Sequence, residues 1–319
     1  MSRTGRHIAF LGYGACALAG SLWGTGFYWG RLALNEMSVE HMVFYRFLFA
    51  SLGILPAVLV NLRNEHVRLT REELGVLLLS AALGVPIQFL LQFHGLALTT
   101  VSHASLMVGA MPVMLAAAAA VFAGERLDWV GWLALCGSTV GAALIVLGGS
   151  RGPATRGEPT LAGDLLVVAS LVTALAWILL SKRLLKTHSP MVVTGYTILS
   201  GFLMLNIVIE GPWLLTPWTH ATIEPILLTH VSATAWAALA ISGVFCTATT
   251  TLLWNWGLHH VPASRAGVFL NIEPALGSLL GVELLHEHLG PFAWVGGGLI
   301  LAAAVTLTTR GREPEMILE

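Results

Sequence analysis

Runs of about 20 nearly uncharged residues recur along the whole chain, each long enough to cross a bilayer core of roughly 30 Å. Only 10% of the 319 residues are charged, and 56% are apolar. An ordinary soluble domain carries about 25% charged residues. A soluble fold this poor in charge would leave most of its apolar surface in water, which the hydrophobic effect opposes. The chain therefore reads as an all-α integral membrane protein. Its formal charge of −1 gives no basis for a nucleic-acid partner. Cys16, Cys136 and Cys246 each lie inside an apolar run with no pairing or metal spacing, so buried free thiols are expected, and no metal or cofactor. Arg3 and Arg6 ahead of the first run resemble a signal peptide. The repeat described below needs that first helix, so it is read as retained.

The expected spans of the first half are Ile8 to Gly30, Val39 to Val60, Leu74 to Leu98, Ser102 to Ala123 and Leu127 to Gly148. The Gly/Pro-rich stretch GGSRGPATRGEPT separates the halves. The second half holds Leu161 to Leu184, Pro190 to Glu210, Ala233 to His260, Ala263 to Leu285 and Leu289 to Thr309. With the N-terminus inside, cytoplasmic segments collect twelve basic residues, from Arg3 and Arg6 to Arg310 and Arg312. The outer segments hold only Arg31, Arg151 and Arg156, a strong positive-inside bias that places both termini in the cytoplasm. The outer loop after the seventh span has no Lys or Arg, and Trp213 and Trp218 in it suit an interface.

A shift of 162 residues lays the third-to-fifth spans over the eighth-to-tenth without a gap. Gly95 meets Gly257, Ser102 meets Ser264, Pro112 meets Pro274, Glu125 meets Glu287, Leu127 meets Leu289 and Trp132 meets Trp294. Earlier spans agree more loosely, with Trp23 over Trp177 and Tyr45 over Tyr196. Five spans per repeat is an odd number, so the second copy enters the membrane from the opposite side. Inverted repeats are a recurring plan of secondary transporters, with substrate bound near the midplane between the halves. The expected domains are 1–148 and 161–319, joined by 149–160.

The first span's GSLWGTGF, the second's FYRFLFASLGILP, and the segments LTTVSHASLMVGAMPVMLAAAAAVFAGERL and HHVPASRAGVFLNIEPALGSLLGVELLHEHL resemble the EamA family of the drug/metabolite transporter superfamily. The resemblance covers nearly the whole chain, twice. It implies ten transmembrane helices, the first four of each repeat lining a central cavity and the fifth and tenth packed outside. It also implies export of amino acids, aromatic ones included, or related metabolites across the inner membrane by alternating access, most like the YddG-type amino-acid exporters. Cationic drugs or nucleobase-type metabolites are the alternative cargo. The second copy has His286 and His288 around its glutamate where the first has Gly124 and Arg126. The expected partners are a small-molecule substrate and the lipid bilayer; a monomer is compatible with this reading.

Polar side chains inside a span are costly in hydrocarbon and usually face a cavity or a partner helix. Gln88 and Gln92, four apart, share one face of the third helix. Thr247, Thr251 and Asn255 form a similar stripe on the eighth. The threonines are read as bonding back to their own helix carbonyls, and Gln92 and Asn255 as facing one cavity. Glu273 follows Asn271, precedes Pro274, and lies roughly 12 Å into the ninth span at 1.5 Å per residue. It is a candidate to bind a substrate ammonium or carry a proton. Arg46, roughly 10 Å into the second span by the same rise, either snorkels to the interface or pairs with a substrate carboxylate. His94 and His103 bracket the outer ends of the third and fourth helices, where gating competes with a hydrogen-bonded structural role. Trp23, Trp177, Tyr45 and Tyr196 occupy repeat-related positions, and aromatics at span centres can stack on a flat or cationic substrate.

Two other classes of function compete. An intramembrane enzyme is disfavoured: His286, Glu287 and His288 lack the two-residue gap of a HExxH zinc site, and neither a G-x-S-x-G elbow nor a Walker A loop occurs. Lys182 and Lys186 cap one helix, leaving no mid-span lysine for a Schiff base. A monomeric channel or facilitator pore remains as the other alternative, without a repeated filter-like segment to support it.

Overall fold

The computed structural model describes residues 3–64, 67–122, 129–148, 159–215, 231–260 and 267–310. The linker at 149–158, the loop at 216–230 with Trp218, and Ser264, Glu125, Arg126 and Leu127 lie outside the described residues. Those described are almost all helical. The helices are α1 (Arg3–Leu34), α2 (Val39–Asn64), α3 (Arg71–Ala82), α4 (Gln88–Ala97), α5 (Val101–Val108), α6 (Met111–Phe122) and α7 (Trp129–Gly148). They continue with α8 (Leu161–Leu184), α9 (Pro190–Leu215), α10 (Ala233–Gly243), α11 (Thr250–His260), α12 (Ile272–Leu285) and α13 (Pro291–Arg310). By length and composition, five continuous stretches among the described residues are long and apolar enough to cross a membrane: Val39–Leu62, Arg71–Ala97, Leu161–Leu184, Pro190–Ile209 and Ala233–His260. Shorter apolar helices accompany them at Val101–Met114, Trp132–Ile145 and Pro291–Ala303.

Two rods that the apolar pattern presents as uniform contain a wide turn. A π turn at Leu83–Ile87 joins α3 to α4, and another at Val244–Thr249 joins α10 to α11. Pro86 explains the first, since it has no N–H and its ring would clash with a carbonyl in a regular turn. The second contains no proline. The fourth expected span is interrupted at Gly109–Ala110 between α5 and α6, and the ninth opens with a 3₁₀ turn, Gly267–Asn271, before α12. Pro112 and Pro274 stand at the second and third positions of the helices that follow, where a missing N–H is tolerated.

The helices pack in crossed pairs. α1 lies on α11 and α12, α4 on α8, α2 on α9, α5 on α12, and α7 on α13. The α7–α13 seam is a glycine contact. A Cβ on Gly141 would stand 2.6 Å from the Gly296 carbonyl oxygen, and one on Gly296 would stand 2.5 Å from that of Gly141. Small residues give bilayer helices the close approach that dispersion needs where apolar burial drives nothing.

Carboxylates join the two halves near the helix ends. Glu36, between α1 and α2, accepts from Ser232 Oγ (2.7 Å) and Ser232 N (2.6 Å) at the start of α10. Those two bonds hold its carboxyl below the usual carboxylate value. At the other end of α2, Glu73 accepts from Thr70 in a capping box and from Thr187 Oγ1 at 2.9 Å, and Arg183 pairs with Glu72. Glu287 accepts from Val101 N (2.8 Å), Ser102 N (2.8 Å) and Ser102 Oγ (2.7 Å), covering the N-terminus of α5.

Candidate functional site

A cavity with about 960 Å³ of atom-free space, open solvent included, lies among α1, α2, the two π-turn rods, the α5–α6 junction, α8, α9 and the segment 270–273. Its wall is mostly apolar and aromatic, with Phe27, Phe47, Phe89, Phe93, Trp23 and Trp177 contributing rings. Two charged residues of opposite sign line it, Arg46 from α2 and Glu273 from α12. A few placed polar groups in an apolar concavity are the usual composition of a small-molecule site.

Arg46 is 3% exposed. Its guanidinium lies over Phe89 and Phe93, 5.0 and 5.1 Å from the ring centroids, and its Nε donates to Thr247 Oγ1 at 2.9 Å. Its Nη1 has no hydrogen-bond partner among the described residues, and neither do Gln88 Oε1 and Thr197 Oγ1 in the same wall. A buried cation left partly unpaired is expensive in a protein interior. A ligand anion at this guanidinium would offset that penalty.

The structure brings six of the expected residues to this cavity: Trp23, Arg46, Gln88, Gln92, Trp177 and Glu273. Six others do not line it. Asn255 is buried and donates from Nδ2 to Thr194 Oγ1 at 2.7 Å, so its amide bridges α11 to α9. Tyr45 precedes Arg46 by one residue, which turns it about 100° around α2; its ring stands edge-on to Trp236 with centroids 4.9 Å apart. Tyr196 precedes the lining residue Thr197 by the same step and packs with Leu77, Leu184 and Val193. His94 is half-exposed and pairs with Glu40 (Nε2 to Oε1, 3.2 Å). Asn271 ends the 3₁₀ turn with both side-chain polar atoms buried and without a hydrogen-bond partner among the described residues, and it is not one of the residues lining this cavity. His103 is buried beside Asp164, Nδ1 to Oδ2 at 3.9 Å, while Thr99 Oγ1 donates to Asp164 Oδ1 at 2.7 Å.

Reading the residues one by one missed Phe89, Phe93, Thr197 and the role of Thr247. The threonine does bond back to its own helix, to Ser242 O at 3.0 Å, yet it also lines the cavity and receives Arg46. The two phenylalanines are four apart and so share one face of α4, a spacing that apolar residues in a span show without marking a cavity.

The sequence matches the EamA-like transporter family over residues 10–147 and 161–309. Among similar proteins, the uncharacterized transporter YetK of Bacillus subtilis is 20% identical over 95% of this chain and 88% of its own length. An uncharacterized transporter of Archaeoglobus fulgidus is 26% identical over 92% of this chain and 95% of its own. A protein of Streptantibioticus cattleyicolor named as a probable terminal-alkyne amino-acid exporter is 24% identical, covering 92% of each chain. A solved crystal structure superposes with a TM-score of 0.60 at 19% identity, over 95% of this chain and 98% of that one, a likeness of fold. A multi-pass chain with a largely apolar cavity and a family match through both halves is thus accounted for together: it belongs to the EamA-like transporter family.

Proposed function

We propose that this chain is a secondary transporter that exports amino acids, aromatic ones included, or related small metabolites across the inner membrane by alternating access. In this reading the ten expected spans form two inverted five-helix repeats, 1–148 and 161–319 joined by 149–160, with both termini cytoplasmic. The observation that carries the substrate class is the pairing of charges in the cavity. Arg46 offers an unpartnered Nη1 to a carboxylate, Glu273 offers a carboxyl to an ammonium, and Trp23, Trp177, Phe89 and Phe93 supply rings for an apolar side chain. A zwitterion presents both charges with no net charge, matching a wall whose two formal charges cancel.

Several features support the repeat. The π turns at Leu83–Ile87 and Val244–Thr249 coincide at the same 162-residue offset as the Pro and Trp matches. The break at Gly109 and the end of the 3₁₀ turn at Asn271 coincide as well. The pairing of α1 with α11 and of α4 with α8 is what exchange of two equivalent halves requires. The amino-acid cargo named for the Streptantibioticus relative agrees with the charge pairing.

The test is flux from proteoliposomes loaded with phenylalanine, leucine, a nucleobase or a cationic dye. Saturable counterflow of amino acids is expected, with no stimulation by the nucleobase or the dye. Unsaturable flux would favour a pore, and dye or nucleobase counterflow alone would overturn the amino-acid reading.

A further inference from the structure

The Arg46 guanidinium makes one hydrogen bond among the described residues, from Nε to Thr247 Oγ1. Phe89 and Phe93 support it with their ring faces, and Gly26 lies beside it, where a Cβ would make an ordinary contact with Nη2 at 3.6 Å. Thr247 belongs to the π turn Val244–Thr249. A hydroxyl has one hydrogen and two lone pairs. Here the hydrogen goes to Ser242 O at 3.0 Å, and a lone pair receives Arg46 Nε at 2.9 Å.

Resting on the reading that Arg46 holds the substrate carboxylate, we infer that Thr247 is a positioning residue for it. Its hydroxyl fixes the edge of the guanidinium so that the remaining N–H groups are presented to the carboxylate, and it ties that orientation to the width of the turn. The tie follows from reach. In a regular α-helix a threonine hydroxyl bonds the carbonyl three or four residues back. Thr247 bonds the one five back, and Thr250 does the same, its Oγ1 on Phe245 O at 2.6 Å. Tightening the turn to α geometry would hand the Thr247 hydrogen to a nearer carbonyl and swing its lone pair off Nε. Coupling is reciprocal. A carboxylate that favours one Arg46 orientation therefore favours the turn width that holds it, which links occupancy of the cavity to the shape of the α10–α11 rod.

The experiment compares phenylalanine with phenylalaninamide as transported probes in proteoliposomes, for the wild type, Thr247→Val and Thr247→Ser. Thr247→Val keeps the shape and removes the hydroxyl. It should raise KM for phenylalanine about tenfold, the effect of losing one charge-assisted contact, with Vmax little changed. The amide KM should stay within about twofold, and Thr247→Ser should restore the wild-type value for the acid. Equal effects on acid and amide would mark Thr247 as merely structural and overturn the inference, as would no effect on either. A wild type that treats acid and amide alike would overturn the Arg46 reading itself, a failure visible before any variant is measured. If Thr247→Val does not reach the membrane, Thr247→Ala takes its place against the same two probes.

Discussion

Replacing Arg46 with methionine should weaken substrate binding severely while leaving the folded protein as stable as before. The two effects have separate origins. Without a bound substrate, the guanidinium gains from two ring faces at 5.0 and 5.1 Å, about 2 kcal/mol each at a desolvated site. It gains a further roughly 1.5–3 kcal/mol from its bond to Thr247. Against this total of roughly 5–7 kcal/mol stands an effective desolvation penalty of several kcal/mol for one buried ion. The terms nearly cancel, and methionine of similar length keeps the packing on Phe89 and Phe93 with the sulfur–ring contact it prefers. The melting temperature of the detergent-solubilised variant should lie within about 3 °C of wild type. With a carboxylate bound, the variant loses one or two charged hydrogen bonds, so KM for phenylalanine should rise roughly 10- to 100-fold. Tryptophan fluorescence during thermal ramps and counterflow in liposomes read the two quantities independently. An unchanged KM in folded protein would refute the assignment of Arg46 to the substrate. A drop in melting temperature of more than about 10 °C would refute the near-cancellation and make the arginine a structural cation.

Other substitutions separate binding from scaffold. Glu273→Gln keeps shape without charge and should preserve folding while lowering flux or flattening its pH dependence; wild-type flux at every pH would show the carboxyl to be structural. Asn255→Leu breaks the bond to Thr194 and leaves a buried hydroxyl to find another partner, so it should lower stability by about 1–3 kcal/mol with KM unaltered; a selective change in KM would return Asn255 to the substrate site. Gly141→Leu drives a side chain into the Gly296 carbonyl, and should cost about 1–3 kcal/mol or more in thermal stability. Gly298→Ala on α13, the partner helix, with nothing within 4 Å of its Cβ position, should be neutral; equal behaviour of the two would contradict the seam.

The helices were legible because charge is so scarce that each span announces itself; α8 and the rod 233–260 begin and end where the apolar runs do. The wide turns were not. A π turn inserts no special composition, and Val244–Thr249 lacks even the proline that marks Leu83–Ile87. Which face of a span meets the cavity was readable only where a polar residue broke an apolar background, as at Gln88 and Gln92. Phe89 and Phe93 carried no such contrast, since a phenylalanine suits lipid, packing and cavity equally. Tyr45 and Tyr196 failed by a single residue each: one step along a helix is about 100°, and their successors Arg46 and Thr197 hold the positions expected of them. Along the stripe Thr247–Thr251–Asn255 the expectation inverts: Asn255, expected in the cavity, bonds Thr194, while the two threonines, expected only to bond their own helix, line it.

The seam between α7 and α13 has a consequence for biogenesis. The glycine face of α7 is synthesised some 150 residues before the face of α13 that covers it. Until α13 is inserted, the carbonyl-lined groove around Gly141 has only lipid against it, and lipid chains cannot follow a surface that admits another backbone so closely. A segment made late is therefore the one that locks the early half in place. Chains cut short before Pro291 should enter the membrane with every other pairing available and still be handled by quality-control proteases as unfinished protein.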